Sequence, residues 1–303
     1  MRVHVLGSAA GGGFPQWNCN RGNNRRLHEG STRATPRTQS SITVSADGER
    51  WVLINASPDV RQQVIGFEGL RARPDTRDTG IAAVLLIDSQ VDHSAGLLIL
   101  REGRPLNLWC TRPVYEDLTT GLPLLKVLDH YCTVRWHEID LADPVFTIDQ
   151  APGLQFQAVA LESAAPPYSP PRNNPHPGDN IGLLIEDRRS GGKLFYAPGL
   201  GAPGAAVAQA MAAADCLLVD GTFFHEDEMA RMGVGDKPAA AMGHLPQSGP
   251  GGMLELLQGH ADKRRILIHI NNTNPILDPD SPERATVEAA GVEVAWDGMD
   301  IEL

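Results

Sequence analysis

The segment Asp88-Ser89-Gln90-Val91-Asp92-His93 follows the apolar run of residues 81–87, so two carboxylates, an amide and an imidazole stand where a strand ends. A run rich in branched apolar side chains marks a strand covered on both faces. Polar groups at its end reach a loop-walled cleft while the sheet holds their backbone still. Asp and His in that position can ligate a divalent metal or exchange protons. Alone, the Asp92-His93 pair has a plainer use, the Asp capping a following helix and the His packing beside it. Three further segments repeat the design, however. Cys216-Leu-Leu-Val-Asp220 ends on a carboxylate, Ile266-Leu-Ile-His269 ends on an imidazole, and Met242-Gly243-His244 offers a second imidazole from a Gly-flanked loop. Each has its own structural use: Asp220 in a turn at Gly221, His269 in the core, His244 in solvent. One pattern occurring four times favours a shared site.

Strand signals near residues 2–6, 40–45 and 51–55, with an Asp47-Gly48 hairpin turn between the last two, precede the Asp88 segment. A strand at 106–110, a helix over about 114–128 and strands near 146–148 and 154–161 follow it. The second half holds a hairpin of 181–185 with 194–197 around Gly191-Gly192 and an Ala-rich helix over 203–214. The Asp220 strand, a helix near 253–258, the His269 strand and a last helix with strands complete it. This periodicity predicts a mixed α and β domain. The opening Gly7-x-x-x-Gly11-Gly12-Gly13 lacks the dinucleotide spacing and leads into Phe-Pro-Gln-Trp rather than a helix, so nucleotide binding is not expected. The Pro-rich stretch 162–180 is long enough to be a cleft wall.

Asp92, His93, Asp220 and His269 together resemble the metallo-β-lactamase superfold, in which His-x-His-x-Asp-His follows a buried strand and a bridging Asp and a final His come later. Asp88 and Gln90 stand where the first two histidines of that motif belong. The resemblance therefore implies that one metal site is dismantled and the other, built from Asp92, His93 and His269 with Asp220 completing or orienting it, is retained. It implies a four-layer αββα sandwich of α/β (α+β) class, with residues 1–303 as one domain.

Longer strings resemble the pyrroloquinoline quinone (PQQ) biosynthesis protein B family: Val3-His-Val-Leu-Gly7 through Gly13-Phe-Pro-Gln-Trp17-Asn-Cys19, Arg37-Thr-Gln39-Ser-Ser41, Asn55-Ala-Ser57-Pro-Asp59, Ala164-Ala-Pro-Pro-Tyr168-Ser-Pro170, Tyr196-Ala-Pro-Gly199, His269-Ile-Asn-Asn272-Thr-Asn274-Pro275, and Asp297 to Leu303. Two imidazoles with one or two carboxylates match the facial set of non-haem Fe(II) oxygenases better than structural zinc, and zinc with a bound water is compatible with the same ligands. The first expectation is thus an Fe(II) hydroxylase using dioxygen on the tyrosine part of a cross-linked Glu-Tyr precursor. Asp88 and Gln90 would act as hydrogen-bonding groups there and His244 would move protons or position substrate. A soluble carrier of PQQ or its precursor toward the periplasm and a single-metal hydrolase are the alternatives. Substrate contacts are expected from Arg37, Tyr168, His176, Asn272 and Asn274, with His176 also standing near the place of the superfold's third metal histidine. The family's Cys-x-Cys-x-x-Cys zinc loop reads Cys19, Arg21 and Asn24 here, so no structural zinc is expected, and the chain does not say what orders residues 18–35 instead.

The net charge of −11, from 26 Lys and Arg against 37 Asp and Glu, argues against sequence-independent nucleic-acid binding. Against that acidity, Arg21, Arg25, Arg26, Arg33 and Arg37 crowd the N-terminal loop. Guanidinium forks pair bidentately with carboxylates, and a carboxylate-rich precursor is the partner Arg37 would capture. Other proteins of the PQQ pathway are possible partners. Cys19, Cys110, Cys132 and Cys216 have no framework spacing and read as reduced thiols. No signal peptide or bilayer-length apolar stretch is evident, so a cytoplasmic protein is expected.

Overall fold

The computed structural model describes every residue except 103, 104, 171, 173 and 175. The first half contributes β1 (Arg2–Gly7), β2 (Ser41–Ser45), β3 (Trp51–Ile54), β4 (Ile81–Leu85), β5 (Leu106–Cys110) and β6 (Val134–Glu138). The second contributes β7 (Val145–Thr147), β8 (Leu154–Ala160), β9 (Ile181–Asp187), β10 (Lys193–Ala197), β11 (Cys216–Asp220), β12 (Arg264–Ile268) and β13 (Glu293–Val294), and β14 (Asp300–Glu302) returns to the edge of the first sheet. Among the described residues these form two seven-stranded sheets, ordered β14-β1-β2-β3-β4-β5-β6 and β13-β12-β11-β10-β9-β8-β7.

Val3, Ile42, Leu85, Leu183, Leu218 and Ile266 are among the buried side chains that fill the space between the sheets. Helices in chain order are α1 (Gly22–His28), α2 (Val60–Gly66), α3 (Val91–Ser94), α4 (Arg112–Thr119), α5 (Leu124–Leu128), α6 (Ala205–Ala213), α7 (Glu228–Arg231), α8 (Met253–Gln258) and α9 (Pro282–Ala289). The outer face of the first sheet is covered by α2, α4 and α5 through Val60, Val114, Leu118 and Leu125. The second is covered by α6, α8 and α9 through Val207, Met211, Leu257 and Val287. Each fully buried aliphatic side chain contributes on the order of 1.5–3 kcal/mol, so the runs that are apolar on both faces become the central strands. The result is the four-layer αββα sandwich.

Pairing is parallel from β3 through β6 and from β10 through β13. Loops at the carboxyl ends of parallel strands are where open sheets build ligand crevices. Both expected hairpins form, with Gly48 at φ 80° and Gly191 at φ 78°, values that favour glycine. The expected helix over 114–128 is two helices, α4 and α5. Gly121 between them packs so closely on the Tyr168 backbone that a Cβ would lie 2.3 Å from its carbonyl oxygen, and Pro123 lacks an N–H. The strand β6 escaped notice because it is half exposed and carries Arg, His and Glu.

Candidate metal centre

Three residues beyond β4, the Asp88 carboxylate accepts the Gln90 N–H at 2.9 Å and meets His93 Nδ1 with both oxygens at 2.9 Å. The single turn α3 folds Asp92 and His93 back over the strand end, and the His93 carbonyl accepts the Ala56 N–H at 2.7 Å. With Nδ1 donating to Asp88, the lone pair of Nε2 is left for another partner. Nε2 is fully buried and has no hydrogen-bond partner, in a residue only 2% exposed. A buried polar atom without a partner is costly, and an imidazole held by an outer carboxylate with its second nitrogen free is the form in which His ligates metal.

From the other sheet comes His269, one residue past β12, with φ 64° in the left-handed region uncommon for non-glycine residues. Its neighbours hold that backbone. Gly221 N–H donates to Ile268 O at 2.7 Å, Ile270 N–H to Ser8 O at 2.9 Å, Ala10 N–H to Ile270 O at 2.9 Å, and Asn271 N–H to Thr222 O at 3.1 Å. His269 Nδ1 lies 2.9 Å from Thr222 Oγ1, and its Nε2 lies 3.4 Å from Asp92 Oδ2. Asp92 Oδ2 is in turn 3.8 Å from His93 Nε2. One ligand atom from each of Asp92, His93 and His269 thus falls within 4.8 Å of the others, a set that fits a single metal ion.

Asp220, His244 and His269 form a second such group. There the carboxylate is already engaged: Asp220 accepts Leu200 N–H at 3.0 Å, Thr222 N–H at 2.9 Å and His244 Nδ1 at 2.7 Å. Asp220 therefore stands as a hub that aims His244 and shapes the Thr222 turn. His244 comes from a loop whose Gly243 has φ 84° and packs against Ser163.

Burial opposes ionisation of Asp92, yet the His93 charge and the bond to His269 hold its carboxyl well below the usual range. Burial likewise opposes a charged His93, and the carboxylates of Asp88 and Asp92 overcome it and raise its pKa. At His269 burial prevails and lowers the pKa. His244 is raised because Asp220 outweighs burial. These groups surround a cavity of about 220 Å³, which Gln90, Asn180, Asn271, Phe223 and Met242 also line.

Asp88, Gln90, Asp92, His93, His244 and His269 therefore converge on one pocket, with Asp220 behind it. The Pro-rich stretch contributes Ser163 and Asn180, one from near each end, to its wall, while its residues 171, 173 and 175 lie outside the described residues. Among the described residues, none of the five expected substrate contacts lines this pocket. Arg37 is buried among scaffold groups, bonding Ser8 Oγ at 3.2 Å and Ala295 O, with its pKa pushed down by burial to about 10. Its backbone pairs with that of Phe14. Asn274 caps the turn after His269, giving its amide to Gly221 O and Thr222 O and accepting Ile276 N–H. Tyr168 donates its hydroxyl to Ser89 O behind the pocket, and His176 is exposed with its N–H on Asp179. Asn272 lies behind the pocket-lining Asn271 and bonds Gln16 and Asn24.

The N-terminal loop leaves Arg21, Arg25 and Arg33 exposed. It contains α1, Arg26 pairs with Asp278, and Arg33 Nε meets Asp280 at 2.9 Å. Asn23 and Asn24 tie it to the segment after His269. Thr222, Asn271 and Gly11 went unremarked as site residues. Thr222 sits two residues from Asp220 and Asn271 two from His269, so proximity to a strand-end ligand was the available signal. Nothing local marks Gly11, whose Cβ would fall 3.2 Å from Asp92 Oδ2.

A model of the beta-lactamase superfamily domain matches residues 50–270. A crystal structure described as Zn(2+)-bound PqqB from Methylobacterium extorquens superposes with a TM-score of 0.89 at 39% identity, covering all of both chains. A diphosphatase of the PhnP family shares the fold alone, with a TM-score of 0.69, 20% identity, and coverage of 100% of this chain and 97% of its own. The chain is thus a metallo-β-lactamase-fold protein in which both sheets bring together side chains that could hold a metal ion. Coenzyme PQQ synthesis protein B of Ectopseudomonas mendocina is 59% identical over 304 aligned positions, and that of Azotobacter vinelandii 58%, each match spanning 100% of both chains. The chain belongs to the coenzyme PQQ synthesis protein B family, and its role lies in PQQ biosynthesis.

Proposed function

We propose that this protein is a mononuclear iron(II) oxygenase that hydroxylates the tyrosine ring of a cross-linked Glu-Tyr precursor of PQQ. The observation that carries the reading is the donor set: Asp92, His93 and His269 gather one carboxylate and two imidazoles, and the buried His93 Nε2 has no partner. Such a facial set with open positions is the ligand field of non-haem iron oxygenases. Bound iron(II) would supply the activation of dioxygen. Asp88, sitting where a second metal's ligand would be needed, is instead spent on holding His93 Nδ1. Gln90 beside it lines the pocket as a neutral hydrogen-bonding group. His244 gives its Nδ1 proton to Asp220, which leaves Nε2 to exchange a proton with the ring oxygen or the departing water. Insertion of one oxygen atom leaves the other to depart as water, so the reaction draws two electrons and two protons from an external reductant and solvent.

The zinc in the Methylobacterium extorquens relative supports a second reading, a single-zinc hydrolase in which the same three residues hold the metal and the Asp220–His244 pair supplies the acid–base group. Purification without oxygen and with iron supplied distinguishes them. Iron in the unaltered protein, absent from His93→Ala and His269→Ala, together with a product heavier by one oxygen atom from the Glu-Tyr peptide, is the expected result. Turnover of a hydrolysable substrate with zinc alone would move the second reading to the front. A protein that takes up no metal yet binds PQQ would favour a carrier.

A further inference from the structure

We propose that Asn24 is a positioning residue for the metal centre, acting on two of the three ligands through two hydrogen-bonded arms. The inference rests on the assignment of Asp92, His93 and His269 as ligands. Asn24 is 1% exposed and belongs to α1, remote in sequence from all three. Its Oδ1 accepts the Gln16 N–H at 2.8 Å, and its Nδ2 donates to Asn272 Oδ1 at 2.8 Å.

The first arm runs to Asp92. The Gln16 side chain lies against Gly12, where a Cβ would come within 2.7 Å of Gln16 Cδ, and the adjoining Gly11 abuts the Asp92 carboxylate at 3.2 Å from its Cβ position. The backbone at Gly11 is therefore the surface against which Asp92 rests, and Gln16 backs it through the adjoining Gly12. The second arm runs to His269. Asn272 Nδ2 returns to Gln16 Oε1 at 2.7 Å and reaches Asn271 Oδ1 at 3.2 Å, so Asn272 closes a ring with Gln16 and Asn24. This ring fixes the chain three residues beyond His269, whose left-handed backbone is clamped from the same loop by Ser8 and Ala10 through Ile270. Asn23 reinforces the arm by donating to Asn274 O at 2.8 Å.

Asn24 and Asn272 each aim Nδ2 at an acceptor while Gln16 Oε1 and Asn272 Oδ1 accept, so the Asn24 and Asn272 side chains hold one orientation rather than averaging over two. A strained ligand backbone persists only when its surroundings over-determine it. Asn24, at the branch of both arms, sets the spacing between Asp92 and His269, which approach from different sheets.

Zinc affinity is measured by chelator competition on the full chain, with amide exchange at Ile270 as a reading that needs no metal. The unaltered protein is compared with Asn24→Ala, Asn24→Asp and Arg33→Ala, the last breaking an exposed ion pair in the same loop. Asn24→Ala is expected to bind zinc on the order of 10-fold more weakly, in the range of outer-partner losses at metal sites, with faster exchange at Ile270. Asn24→Asp keeps the acceptor for Gln16 and loses the donor to Asn272, so it loosens the His269 arm alone and gives a smaller loss. It carries the test if Asn24→Ala does not fold. Arg33→Ala leaves affinity unchanged. Faster exchange with unaltered affinity, no change in either, or an equal loss in Arg33→Ala overturns the inference. Failure of the unaltered protein to take up zinc removes the ligand assignment and this inference with it, and is told apart by appearing without any substitution.

Discussion

The two sheet ends that meet at the pocket present the same residue types in opposite arrangements. At the first, Asp88 holds His93 from behind and Asp92 stands beside it, so a carboxylate backs one imidazole and another is free to ligate. At the second, His269 is backed by the neutral Thr222 hydroxyl, and the carboxylate of Asp220 is spent on two backbone N–H groups and His244. Charge accordingly raises the pKa of His93, while burial lowers that of His269. A negative outer partner makes an imidazole a stronger donor to metal, so under the proposed assignment the first end would anchor the ion and the second would complete the site and keep a proton-carrying pair in reserve.

Removing a ligand from either end tests whether both are needed. His93→Ala and His269→Ala are each expected to lower metal affinity by more than about 100-fold, beyond the losses seen when only an outer partner is removed. Retention of stoichiometric metal in one of them would confine the site to a single sheet. Next in size, His244→Ala should lower turnover by on the order of 10²–10⁴ while metal content is kept, because its place is in proton transfer. Loss of metal together with activity would make His244 a ligand and shift the site toward Asp220.

The contrast between outer partners is sharpest in Asp88→Asn against Thr222→Val. Charge-assisted hydrogen bonds are roughly twice as strong as neutral ones, so Asp88→Asn should weaken zinc on the order of 10–100-fold and Thr222→Val several-fold less. Calorimetric titration of both variants decides it, and equal losses would dissolve the asymmetry.

The candidate side chains of the pocket were legible because apolar runs and polar punctuation are local: Asp92, His93, Asp220 and His269 follow or end apolar runs, and His244 sits in a Gly-flanked loop. The resemblance placed them in the sandwich before any contact was known. What stayed hidden was long-range. Arg37 and Asn274 sit in distinctive strings, yet those strings serve the scaffold: Arg37, Thr38 and Ser8 gather around the half-buried carboxylate of Asp297, and Gln39 links Gly12 to Asp59. A guanidinium bonding a backbone carbonyl more than 250 residues away leaves no trace in its neighbours. The ordering of residues 18–35 is of the same kind, since Asn24 replaces nothing visible until Asn272 is beside it.

The second end also keeps a buried acid at one remove from the pocket, and this gives the smallest effect. Glu228 accepts the Thr273 hydroxyl at 2.5 Å and Phe224 N–H at 2.7 Å, and Thr273 in turn accepts Asn271 Nδ2 at 2.6 Å. Burial pushes the Glu228 pKa up to about 7, against the bonds from Thr273, Phe224 and His225, with Glu283 adding to the rise. An unfolded Glu titrates near 4.3, so the folded chain binds the extra proton between roughly pH 4.3 and 7. Stability is therefore greatest below that window and falls as pH rises through it, by up to roughly 4 kcal/mol for this group alone. Glu228→Gln, neutral throughout, should lose less stability than the unaltered protein between pH 5 and pH 8 in urea unfolding. Parallel curves for the two proteins would place the Glu228 pKa in the ordinary range and mean that its hydrogen bonds fully offset its burial. The second end would then hold a carboxylate as well solvated by the protein as Asp88 is by His93, and the contrast between the ends would rest on Thr222 alone.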